Sequence, residues 1–155
     1  MIDISGIAHV QLSVTDFAAS RDFYRWLLHD TFGMTVQYDS PGAFYCIGGR
    51  TGVLITLADP ALSAEGFDQR RVGLHHICFR LRSNADVETL HAALVARGGV
   101  NILRAPEPGA WAPGYYSILF EDPDGIRLEA NFVPGRGNLD VIGDGPPLSA
   151  AGFGR

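Results

Sequence analysis

Apolar and polar residues alternate strictly in two short stretches, Val10-Gln11-Leu12-Ser13-Val14 and Ile77-Cys78-Phe79-Arg80-Leu81. A period of two marks a strand with one buried face. The two stretches sit in matching segments, introduced by Gly6-Ile7-Ala8-His9 and by Gly73-Leu74-His75-His76. Each then gives way to helical spacing. Thr15 or Asp16 can cap a helix carrying Phe17, Phe23, Tyr24, Leu27 and Leu28. Ser83 or Asn84 can cap a second, with Val87, Leu90 and Leu94 along one face and Gly98-Gly99 as its stop. Three shorter strands are predicted after each helix: 35–39, 43–47 and 52–57, then 102–104, 115–121 and 126–132. Ser40-Pro41-Gly42, Gly48-Gly49 and Asp122-Pro123-Asp124-Gly125 supply the turns.

One strand–helix–three-strand unit is therefore used twice. The expected fold is α+β: two tandem βαβββ modules, residues 1–59 and 73–133, forming a curved mixed sheet around a cleft. Residues 60–72 read as a linker, and the Gly- and Pro-rich residues 134–155 as an extended tail with no fold of its own.

Composition narrows the function by exclusion. With 155 residues, 46% hydrophobic, 19% charged and a net charge of −5, the chain has no basic footprint, so nucleic acid is not an expected partner. No apolar run approaches the roughly 20 residues that cross a bilayer, and the N-terminal residues carry no secretion signal, which predicts a cytoplasmic protein without a membrane partner. Cys46 and Cys78, set in apolar strand-like runs, are expected to be buried, reduced thiols.

Alternation also sorts side chains by face. If Val10, Leu12 and Val14 pack beneath a helix, His9, Gln11 and Ser13 point the other way. The same reasoning places His76, Cys78 and Arg80 on that face, with His75 opposite, and adds Arg127, Glu129 and Asn131 from the closing strand. Polar groups on the inner face of a curved sheet are costly unless they serve a ligand. His9 and His76 are equivalent in the repeat. With Glu129 they make two imidazoles and a carboxylate, a set that holds Fe, Mn, Ni, Co or Zn with positions left open. Arg80 and Arg127 are read either as binders of an anionic substrate or as charge balance for Glu129. Thr56, placed by matching Gly52 with Gly125, stands where the first module would offer a second carboxylate, and threonine is a poor ligand.

These features resemble the vicinal-oxygen-chelate superfamily of glyoxalases, bleomycin resistance proteins and ring-cleaving dioxygenases. The resemblance rests on the strands carrying His9 and His76, on Asp22-Phe23-Tyr24, and on Phe120-Glu121-Asp122-Pro123-Asp124-Gly125 followed by Glu129. It implies one divalent metal ion per site, held by His9, His76 and Glu129, a small-molecule substrate with adjacent oxygens, and a homodimer. In a metal-dependent enzyme, Gln11, Arg80, Arg127 and Tyr115 or Tyr116 are the candidates for positioning substrate or moving protons. The departures leave the reaction open. Thr56 stands where glyoxalase I has a fourth ligand, Leu119 where extradiol dioxygenases place a tyrosine, and Gln11 where fosfomycin-modifying enzymes carry a threonine. Two functions follow: a metal-dependent lyase, isomerase or oxygenase, or a drug-sequestering protein of the bleomycin-resistance type. The second would use aromatic residues such as Phe44, Tyr45, Trp111, Tyr115 and Tyr116.

Overall fold

A computed structural model describes residues 1–135, so the reading of the tail lies, beyond Gly135, outside the described residues. The first repeat forms β1 (His9–Val14), α1 (Phe17–Tyr24), β2 (Thr35–Ser40), β3 (Ala43–Gly48) and β4 (Thr51–Leu57). The second forms β5 (Ile77–Arg80), α2 (Asn84–Arg97), β6 (Ile102–Pro108), β7 (Tyr116–Glu121) and β8 (Arg127–Phe132). Each repeat builds its own four-stranded mixed sheet, in the orders β1-β4-β3-β2 and β5-β8-β7-β6. In both, the opening strand pairs parallel with the closing one and the rest are antiparallel. The expected α+β fold of two βαβββ repeats is what the chain adopts.

Local chemistry accounts for the helices. The Asp16 side chain accepts from Ala19 N at 3.0 Å and caps α1. The helix then widens into a π-helical stretch, Arg25–Thr31, which keeps Leu27 and Leu28 fully buried beside Phe23 and Tyr24. Ser83 caps α2 through Asp86 N at 3.1 Å, and Gly98, at φ 70°, ends it in a conformation that L residues rarely adopt. Val87, Leu90 and Leu94 are buried, as are Ile118, Phe120, Leu128 and Ala130 of the sheet that α2 covers. In the first repeat Leu12, Val14, Phe44, Val53 and Ile55 are buried in the same alternating manner.

β6 runs well past the expected 102–104. It carries Pro106 and Pro108, which an edge strand tolerates because one row of its amides has no ladder partner. Its register slips twice, between Ile102 and Arg104 and between Arg104 and Glu107.

By its contacts the chain divides into two units, Met1–Gly73 with Asp122–Ile126, and Leu74–Glu121 with the chain from Arg127. The β7–β8 turn thus belongs to the first unit, and its polar groups explain why. Asp122 Oδ1 accepts from Asp124 N at 2.9 Å and Ile126 N at 2.7 Å, while its Oδ2 accepts from the buried Tyr24 hydroxyl at 2.8 Å. Asp124 accepts from Thr15 N at 3.0 Å, from the Thr15 hydroxyl and from Ser20 Oγ at 3.2 Å. The Asp-Pro-Asp-Gly signature is a clasp on α1.

Candidate functional site

The second unit gathers its polar side chains around Glu129. β8 places this residue beside Cys78 of β5 and Leu119 of β7, and the residue is only 5% exposed. Burial works against the ionised form. Hydrogen bonds from His76, Tyr115 and Ser117 outweigh it and pull the pKa down to about 2, so Glu129 is an anion. His76 Nε2 lies 3.1 Å from Glu129 Oε2, and the Tyr115 hydroxyl donates to Oε1 at 2.7 Å. Burial and the adjoining Glu129 raise the Tyr115 pKa, which keeps its phenol protonated and donating. Cys78 is exposed, which corrects the expectation of two buried thiols; Cys46 is buried. Atoms packed around the Cys78 sulfur, together with the Glu129 charge, push that thiol up to about 12.

Arg104 is a member of this cluster that the sequence did not mark. Its Cα pairs with Leu119, which pairs with Glu129, so the three share one row across the sheet. Arg104 Nη2 reaches to 3.8 Å from Glu129 Oε1, and its Nε lies 3.2 Å from Glu107 Oε1, outside hydrogen-bonding geometry. The register slips around Arg104 set this approach, and no sequence period encodes them.

The other candidates in this unit have contacts of their own. Tyr116 sits on the α2 side of the sheet and donates to Glu88, so it belongs to the helix packing rather than to the cluster. Arg127 pairs in register with Glu121, its Nε 4.0 Å from Glu121 Oε1. Arg80 is exposed at the end of β5, opposite Asn131. His75 departs from the expected alternation: its Nδ1 is 2.7 Å from His76 Nδ1. Strand geometry starts only at Ile77, so the two rings are free to turn toward each other. Desolvation and the neighbouring His76 and Arg127 lower the His75 pKa.

In the first unit His9 is exposed at the start of β1, its Cα opposite Gly52. Gln11 Nε2 donates to Thr56 Oγ1 at 3.1 Å. A Cβ at Gly52 would overlap the tip of the Tyr45 ring, so the missing side chain is what lets that phenol lie across the strand that pairs with His9. Strand pairing also corrects the equivalence drawn from the turns. Cys78, the repeat counterpart of Gln11, pairs with Glu129, whereas Gln11 pairs with Leu54. Leu54 rather than Thr56 is the counterpart of Glu129, and Thr56 that of Asn131. Neither Leu54 nor Thr56 offers a carboxylate.

Among the described residues, no group of three or more His, Cys, Asp and Glu side chains is gathered at metal-holding distance. The donor chemistry of the His76–Glu129 pair does suit a divalent ion. A buried carboxylate kept ionised and an imidazole nitrogen 3.1 Å from it are both ligand types that first-row metals accept. No helix is long and apolar enough to cross a membrane, among the described residues.

Two βαβββ repeats, each forming a four-stranded mixed sheet with the same strand order, define a glyoxalase-like architecture. Residues 6–130 match the Glyoxalase/Bleomycin resistance protein/Dioxygenase superfamily, and the chain belongs to that family. It is 32% identical over 121 residues to the uncharacterized protein YqjT of Bacillus subtilis, covering 78% of this chain and 94% of that protein. A solved structure from Bacillus halodurans is 26% identical with a TM-score of 0.74, over 83% of this chain and 96% of that one. The fold is shared with a lactoylglutathione lyase of Agrobacterium tumefaciens at 24% identity and a TM-score of 0.60, over 84% of this chain and 95% of that one. It is also shared with the fosfomycin resistance protein FosX of Listeria monocytogenes at 22% identity and a TM-score of 0.62, over the same shares of the two chains.

Proposed function

We propose that the chain is a metal-dependent vicinal-oxygen-chelate enzyme, a homodimer of the cytoplasm that acts on a small molecule with two adjacent oxygens. His76 and Glu129 would hold one divalent ion together with His9, their counterpart donor from the first repeat. The observation that carries this reading is the Glu129 carboxylate: it is buried, kept ionised, and already met by His76 Nε2 at 3.1 Å. Maintaining a buried anion is costly unless a cation or strong donors compensate it, and drug sequestration alone has no use for one.

An ion bound there would polarise the substrate's oxygens as a Lewis acid. The chain's own groups do the rest. Tyr115 holds one Glu129 oxygen by donating its phenolic proton, which fixes the carboxylate's rotation. Arg104 brings a permanent positive charge to the same row and, with the exposed Arg80, favours a substrate that carries or develops negative charge. The Gln11 amide, steadied by Thr56, offers a polar contact from the first repeat. Arg127 balances Glu121 at the edge of the same face. Tyr116 has no part in this scheme.

Elemental mass spectrometry on wild type and Glu129→Ala tests the reading, each with and without anaerobic reloading by Fe(II), Mn(II), Ni(II) or Zn(II). The expected result is about one metal per chain in wild type, lost in the variant. No metal in either protein would sink the proposal and leave a drug-binding role of the bleomycin-resistance type as the reading to pursue.

A further inference from the structure

His75 and His76 face each other through their Nδ1 atoms at 2.7 Å, with ring planes 77° apart. Consecutive residues in a strand point to opposite sides; these two meet because they precede β5. An Nδ1···Nδ1 contact of this length holds a single proton, given by one ring and accepted by the other. On its far side His76 presents Nε2 to Glu129, and an ionised carboxylate only accepts. With both rings neutral, His76 therefore carries its proton on Nε2 and accepts at Nδ1, while His75 donates from Nδ1.

We propose that His75 is a positioning residue that sets the ring plane and tautomer of His76 for metal binding. The inference rests on the reading of His76 as a ligand. To offer a bare Nε2, His76 must carry its proton on Nδ1, so the hydrogen bond reverses: His76 donates and His75 accepts. The proton between the two Nδ1 atoms passes from His75 to His76. The His76 Nε2 proton leaves to solvent, and His75 takes one from solvent at its own Nε2. Neither ring changes charge, and the hydrogen bond survives in both states. A ligating imidazole generally donates its second N–H to a fixed acceptor, and here the acceptor is a second imidazole. A carbonyl or carboxylate accepts only; this partner can both give and accept the proton, so it supports His76 with the site empty and with it loaded.

Zinc, which is diamagnetic, tests this in wild type, His75→Phe and His75→Asn. Phenylalanine keeps the ring's bulk without a nitrogen, and asparagine offers an acceptor oxygen close to where Nδ1 stands. Zinc dissociation constants would be measured by chelator competition, and the His76 tautomer by long-range proton–nitrogen correlation spectra with and without zinc. His75→Phe is expected to weaken zinc binding about 10- to 100-fold, with much of the loss recovered in His75→Asn. The His76 proton is expected to move from Nε2 to Nδ1 on loading. Equal affinity in wild type and His75→Phe, or no recovery in His75→Asn, would overturn the role of His75 while leaving the metal site standing. Failure of wild type itself to take up zinc or any other ion would overturn the ligand reading and this inference with it.

Discussion

The Tyr115 hydroxyl and Glu129 Oε1 are joined at 2.7 Å inside the second repeat, which commits one oxygen of a buried carboxylate to a neutral donor. Tyr115→Phe removes that donor together with the hydroxyl's interactions with Asn131 and Cys78. Hydrogen bonds to charged groups are worth about 1.5–3 kcal/mol, so the variant should lose roughly that much stability in urea unfolding. Loss of metal affinity in the same variant would follow from a carboxylate free to rotate. An unchanged unfolding midpoint would mean that Ser117 and His76 satisfy Glu129 without it.

The depressed pKa of Glu129 has a definite sign. A carboxyl held at about 2 in the folded chain, against an ordinary value of 4.5, stabilises the fold above the ordinary range. That contribution is lost as pH falls through the folded value. Metal-free wild type should therefore lose stability on acidification below about pH 4.5 more steeply than Glu129→Gln. Parallel acid limbs in the two proteins, followed by circular dichroism, would contradict this.

Asp122 works in the opposite direction. Burial raises its carboxyl to about 6 despite the hydrogen bonds from Tyr24, Ile126 and Asp124. A raised folded pKa means that this group's contribution is full below the ordinary carboxyl range and is lost as pH climbs through about 6. Asp122→Asn keeps an oxygen for the turn amides and abolishes the titration. Its stability should gain on wild type between about pH 4 and pH 7. A difference that stays flat across that range would show that Asp122 titrates normally.

Gly52 and Tyr45 are expected to be coupled. Gly52→Ala forces the Tyr45 ring off the strand that pairs with His9, and overpacking of this kind costs about 1–3 kcal/mol. In Tyr45→Ala the obstacle is gone, so adding Gly52→Ala should then cost almost nothing. A double-mutant cycle in urea measures the difference, and additive effects would show that the ring does not depend on the missing side chain.

The sequence by itself determined the repeat, the order of elements and the helix caps, because each is written in a local period or a local turn residue. The alternation around Leu12 and Phe79 predicted which strand face is buried, and Asp16, Ser83 and Gly98 mark helix ends by side-chain or backbone chemistry at the residue itself. It also named Tyr115 and Glu129, which the structure brings together. Only the tertiary structure decided who stands beside whom across strands. Register made Leu54 the counterpart of Glu129, carried Arg104 to within 3.8 Å of that carboxylate, and turned Tyr116 toward Glu88. It also gave the Asp122–Asp124 turn to the first unit and let His75 meet His76 just before the strand begins. Pairing register and loop conformation arise from contacts between residues distant in the chain, and no window of local sequence contains them.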